Sequence, residues 1–175
     1  LRVCREEHQA LLDIGSQIRN EGDSRWLAVL RHTLLVARLL ARRKGLQLSK
    51  TGRELLDDER AGALYALLFR TFFQRLDLRF LSSDDRHPGL QPTIGYSFYQ
   101  LRTAAADWTP PEELAARAWL DSARDPMSDV DRELGDMRHW AFRQRVLQPL
   151  VMFGLLDSRP VPEAAEPRRT GMSPR

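Results

Sequence analysis

Apolar positions recur in threes and fours along most of the chain and alternate in only one short stretch, which predicts helices and very little strand. Ala10, Leu11, Ile14 and Ile18 share one face of a first helix over 3–20, ended by Asn20-Glu21-Gly22. Trp26, Leu27, Leu30, Leu34, Leu35 and Leu39 step along a second, preceded by the cap candidates Asp23 and Ser24. The pattern carries this helix to Arg42-Arg43-Lys44, where cations meet the negative helix end and Gly45 supplies a left-handed cap. Leu46-Gln47-Leu48-Ser49 then alternates as a short half-buried strand, and Thr51-Gly52-Arg53-Glu54 has the form of a capping box opening a third helix.

That third helix continues or restarts through Asp57-Asp58-Glu59 and carries Ala61, Leu64, Tyr65, Leu68, Phe69, Phe72 and Leu76, an aromatic-rich core stripe. Residues 77–92 read as a loop with a polar tip at Ser82-Ser83-Asp84-Asp85-Arg86-His87. From Leu90 no charge occurs until Arg102, so the helix bearing Ile94, Phe98, Leu101 and Ala105 is expected to be buried on most sides. A ligand pocket beside Tyr96 and Tyr99 is the alternative there. Thr109-Pro110-Pro111-Glu112 opens the next helix as a capping box, which stops near Asp125-Pro126. Another opens at Ser128, with Val130, Leu134, Met137 and Ala141 inward. Pro149 predicts a break or kink near Leu147-Gln148. Four prolines among residues 160–175 predict a disordered tail.

The run Leu39 to Leu56, with its helix, glycine, short strand and T-x-x-E helix start, resembles the end of winged-helix domains, in which the helix before the glycine is the recognition helix. The resemblance covers only about 30 residues, and its wing would be very short. It implies a winged-helix-like half at about 20–60. The ending Val146 to Leu156 repeats the helix–Gly–Leu order and implies a second, degenerate half at about 127–158; two coincidental helix ends explain the same letters. The expected architecture is a mainly α helical bundle with one or two winged-helix-like units, as a single domain over 1–159 with a tail over 160–175.

Charge sharpens this picture locally. Net charge is only +3 over 175 residues, yet between Arg25 and Arg53 there are eight Arg or Lys and no Asp or Glu. Arg31, Arg38 and Arg42 fall on one helical stripe, and with Arg43, Lys44 and Lys50 they are the candidate phosphate-contacting residues, since basic side chains displace the counterions of a duplex. A solvated face on an amphipathic helix accounts for the same charges.

The single Cys4 excludes an intrachain disulfide and a cysteine-built zinc site. No apolar run approaches the roughly 20 residues of a membrane span, and no signal-peptide pattern opens the chain, so a cytoplasmic protein is expected. The chain begins at Leu1 rather than Met, which leaves room for an upstream segment. Phosphate-binding, dinucleotide, zinc-protease and nucleophile-elbow motifs are all missing. His8, His32, His87 and His139 are scattered, so no catalytic residue, metal or cofactor is assigned.

The runs Leu64–Leu76, Leu90–Leu101 and Arg145–Leu156 together look like an accessory helical region of uncharacterised bacterial proteins, relatives of the plasmid-borne third-open-reading-frame family of root-inducing plasmids. The β-rich domain that names that family is not visible here, so the resemblance implies architecture and transfers no functional residue. Two functions follow as expectations. One is a non-enzymatic nucleic-acid-binding or regulatory module with DNA as partner. The other is a protein-interaction or dimerisation module whose partner is itself or another protein.

Overall fold

The computed structural model describes residues 24–42, 44–82, 87–120 and 138–159. The helices expected over 3–20 and from Ser128, the stop at Asp125-Pro126, the tail over 160–175 and Arg43 lie outside them. The described chain is mostly helical, with one small antiparallel sheet of strand order β1-β2. Helix α1 spans Arg25–Val36, β1 Leu40–Arg42, β2 Leu46–Leu48, α2 Lys50–Leu55 and α3 Ala61–Gln74. Helix α4 spans Ile94–Ala104 and α5 Pro111–Ala118. Finally α6, Arg138–Phe142, passes through a π turn, Arg143–Leu147, into α7, Gln148–Met152.

Helix α1 opens on Ser24, whose hydroxyl accepts the Leu27 amide, and it ends eight residues earlier than Lys44, the expected end. The stop is a Schellman cap: the Leu39 amide donates to the Leu34 carbonyl at 2.9 Å and the Arg38 amide to Leu35 at 3.0 Å. Arg38 takes the left-handed position at φ 58, where glycine is usual, and Leu39 behind it is buried. Propensity read the arginines and leucines of 37–42 as helix; the burial of Leu39 as the cap's apolar residue overrides that. The chain released at Leu39 becomes β1, which pairs with β2 in the register Leu40↔Leu48, Ala41↔Gln47 and Arg42↔Leu46. Gly45, at φ 117, is therefore a hairpin-turn residue and not a helix cap.

Two further local expectations are corrected. Ser49, not Thr51, caps α2 by accepting the Gly52 amide at 2.9 Å. Pro110 occupies the cap of α5, while the Thr109 hydroxyl turns back to the Ala104 carbonyl at 3.0 Å. Strand β2 is exposed along its whole length rather than half-buried. After α2 the chain does restart, through a 3-10 turn at Asp58–Arg60 in which the Asp57 carboxylate accepts the Glu59 amide.

The core gathers the second half of α3 (Phe72, Phe73, Leu76), the 3-10 turn Leu78–Leu81, α4, α5 and the final helical run. Phe153, just past α7, sits against Tyr65, Phe69, Phe72 and Phe73 with ring centroids 5.3–5.9 Å apart. Its carbonyl accepts the Tyr65 hydroxyl at 2.8 Å, so α3 and the end of α7 are tied by both packing and a hydrogen bond. Helix α7 ends on the same cap as α1, with Leu155 donating to Leu150 and Gly154 at φ 69.

Pro149 causes no break. The π turn ahead of it, in which the Gln148 amide reaches back to the Arg143 carbonyl, widens the helix where the proline ring would meet the turn below. Helix α4 departs from expectation in the other direction. Ile94, Ser97 and Leu101 are buried, but Tyr96 and Tyr99 are exposed, so only one face is covered. Lack of charge there was not lack of polarity.

Gly52 fixes the hairpin to α2. A Cβ at this position would stand 2.3 Å from the Leu39 carbonyl oxygen, which itself accepts the Ser49 amide at 2.9 Å. Gly52→Ala is expected to cost roughly 1–3 kcal/mol by forcing the two backbones apart. Gly62→Ala, near the start of α3 and facing open space, is expected to gain about 0.5–1 kcal/mol. Urea unfolding of the two variants checks this, and equal midpoints would refute the close-approach argument.

Candidate nucleic-acid interface

The candidate cations no longer share a helical stripe, because α1 stops before Arg38. They are redistributed on and around the hairpin. Arg38 stands at its base, exposed, held in the left-handed cap. Arg42 ends β1 and Lys44, at φ 36, lies in the turn; both are exposed. Lys50 opens α2 with its side chain 88% exposed, 3.9 Å from Glu54 in an i,i+4 pair that water screens. Arg53, on the same short helix, donates to the Leu48 carbonyl at 2.9 Å and braces the far strand.

At about 3.3 Å of rise per strand residue, the turn stands roughly 13 Å from the base, so cations at both ends span several phosphates of a duplex. Arg31 does not join them. It sits on α1, only partly exposed, with a buried Nε and interactions inside the fold. Arg38, Arg42 and Lys44 make no ion pair with any described residue. Asp57, Asp58 and Glu59, the acids best placed by sequence to interrupt this charge, make no ion pair with these cations among the described residues.

One hairpin face mixes charge with apolar surface. The register places Leu40, Arg42, Leu46 and Leu48 on one side, and Leu46 and Leu48 are 50% and 41% exposed. This signal was missed because the strand before the glycine was read as the end of the helix.

Elsewhere the titratable groups have structural roles. His87, expected on a polar loop tip, is buried edge-on against Trp119 with centroids 5.1 Å apart. His32 stacks on Phe80 at 6.0 Å. No three His, Cys, Asp or Glu side chains converge among the described residues, and no described helix is long and apolar enough to cross a membrane. Tyr96 and Tyr99 are exposed, and Tyr99 is covered on one side by the Arg102 guanidinium at 5.4 Å.

The chain matches no family model, no curated protein and no solved structure.

The left-handed arginine offers a clean separation of charge from strain. Holding a residue with a Cβ at φ 58 costs on the order of 1 kcal/mol, so Arg38→Gly is expected to raise the melting temperature while removing one cation from the hairpin base. A lower melting temperature would mean that the Arg38 side chain itself holds the cap.

Proposed function

We propose that this chain is a non-enzymatic nucleic-acid-binding or regulatory module of a bacterial, cytoplasmic protein, with a winged-helix-like unit in which the β1–β2 hairpin is the wing. The observation that carries this reading is the hairpin's unneutralised charge: Arg38, Arg42 and Lys44 are exposed and free of ion pairs with described residues, in a stretch with no carboxylate from Arg25 to Arg53. A helix capped into a hairpin, with a second helix closing its base through Gly52, also fits the order of a wing. The contacting residues are Arg38, Arg42, Lys44 and Lys50, with Arg43 in the same turn by sequence. Arg31 is set aside as a contact because its side chain is engaged within the fold.

A protein-interaction module is the second reading, and one observation favours it. Leu27 and Leu30 on α1 and Leu46 and Leu48 on β2 are all more than 40% exposed, a density of apolar surface that duplex DNA does not use. The two readings part on salt. Binding through four phosphate contacts gives a log–log salt slope of roughly −3 to −4 on generic duplex DNA. Arg42→Glu with Lys44→Glu is expected to weaken that binding at least about tenfold at low salt and to flatten the slope by about 2. Binding unchanged by the double variant, or absent at low salt, would remove the nucleic-acid reading. A salt-insensitive dimer in sedimentation, lost on Leu46→Lys, would establish the other.

A further inference from the structure

Away from the hairpin, α3, α4 and the turns at 78–81 and 88–90 enclose a cleft of about 860 Å³. That lies within the size range in which proteins hold small organic ligands. Its floor is aromatic. Phe69, Phe73 and Phe98 pack on one another with centroids 4.8–5.6 Å apart, and Phe69 and Phe98 keep part of their surface open.

Its walls are cationic. Arg70, Arg75, Arg79 and Arg145 line the cleft, with Asp77 the one carboxylate among its described lining residues; Arg145 is buried with its donors engaged in the fold. Asp77 is already committed: it accepts Arg79 Nε at 3.0 Å and Arg79 Nη2 at 2.7 Å, and these bonds hold its carboxyl below the ordinary range. Arg145 adds to that depression from within the fold. Arg70 and Arg75 are exposed and make no ion pair with any described residue. The lining cations that are exposed and without an ion pair to a described residue are therefore Arg70 and Arg75, beside an apolar, ring-shaped surface.

We propose that this cleft binds a nucleoside phosphate, its ring on Phe69 and Phe98 and its phosphates between Arg70 and Arg75. Guanidinium forks match phosphate oxygens two at a time, and several of them suit a multiply charged anion better than a lone carboxylate. Inorganic phosphate leaves the aromatic floor unused, and an uncharged ring leaves the cations unused. The site is distinct from the hairpin and does not rest on the nucleic-acid reading.

Gly95 supplies a test independent of charge. It lines the cleft, and a Cβ built on it meets nothing within 4 Å, so a large side chain there fills space without disturbing the packed face of α4. Calorimetric titration of the full chain would use ADP, with adenosine and inorganic phosphate as partial probes at matched ionic strength. ADP is expected to bind at least about tenfold more tightly than either part, as ring and phosphate each contribute. Arg75→Glu and, separately, Gly95→Trp are each expected to weaken ADP at least about tenfold while melting within a few degrees of the parent. Arg42→Glu with Lys44→Glu is expected to leave ADP binding unchanged, which separates this site from the hairpin. Absence of ADP binding at millimolar concentration overturns the proposal. So does phosphate that binds as well as ADP, or ADP affinity indifferent to both cleft variants.

Discussion

The fold turns on one buried cation. Arg145 is 1% exposed, in a helical run whose neighbours Ala141, Phe142 and Val146 are wholly enclosed. A guanidinium taken out of water is tolerated only where its donors are satisfied. Here Nε donates to the Ser82 hydroxyl at 2.8 Å and Nη1 to the His87 carbonyl at 3.3 Å, among other contacts. Those partners stand at the two ends of the connection between the turns at 78–81 and 88–90. The last helical run thereby holds Ser82, behind the turn at 78–81, and His87, ahead of the turn at 88–90, across a sequence separation of about sixty residues.

How the helix turns Arg145 inward follows from its spacing. Buried positions there fall at 141 and 142, then 145, 146 and 147, then 149 and 150, a spacing closer to four than to the roughly 3.6 of an α-helix. The π turn over Arg143–Leu147 takes up the difference, and it is also what lets Pro149 remain inside a helical run. One irregularity thus serves three ends: it places the cation, accommodates the proline, and brings Phe153 onto the aromatic face of α3. The cleft lies beside this packing, lined by Phe69 and Phe73 of α3 and Phe98 of α4.

Much of this was legible in the residues. Period-3.6 spacing located α1, α3, α4 and α5, and the helix–glycine–Leu ending at Gly154 corresponds to a cap that the structure contains. What escaped was decided by tertiary contact. Arg38 has no propensity for the left-handed position it fills; only the burial of Leu39 ends α1 there. Ser49 and Thr51 are equally good caps by type, and the approach of Gly52 to the Leu39 carbonyl chooses between them. The burial of Arg145 has no signal in the sequence, because a π turn leaves no mark in composition. The candidate cations were picked by local charge alone, and their arrangement depended on a strand that the periodicity concealed, which leaves Arg31 apart from the others.

The hairpin and the rest of the molecule answer to different constraints. A two-stranded hairpin is marginal by itself, and this one exposes most of its side chains, including Leu46 and Leu48. Its anchorage is all at the base: Leu39 buried behind the cap, Leu39 and Ser49 joined through the backbone, and Gly52 pressed against them. Among the described residues nothing comparable holds the turn at Lys44 and Gly45. Clustered like charges at the tip gain nothing within the fold, since they repel and find no counter-ion among the described residues. Water and salt screen that repulsion in the free protein, and under the proposal above an anionic partner at the hairpin would relieve it further.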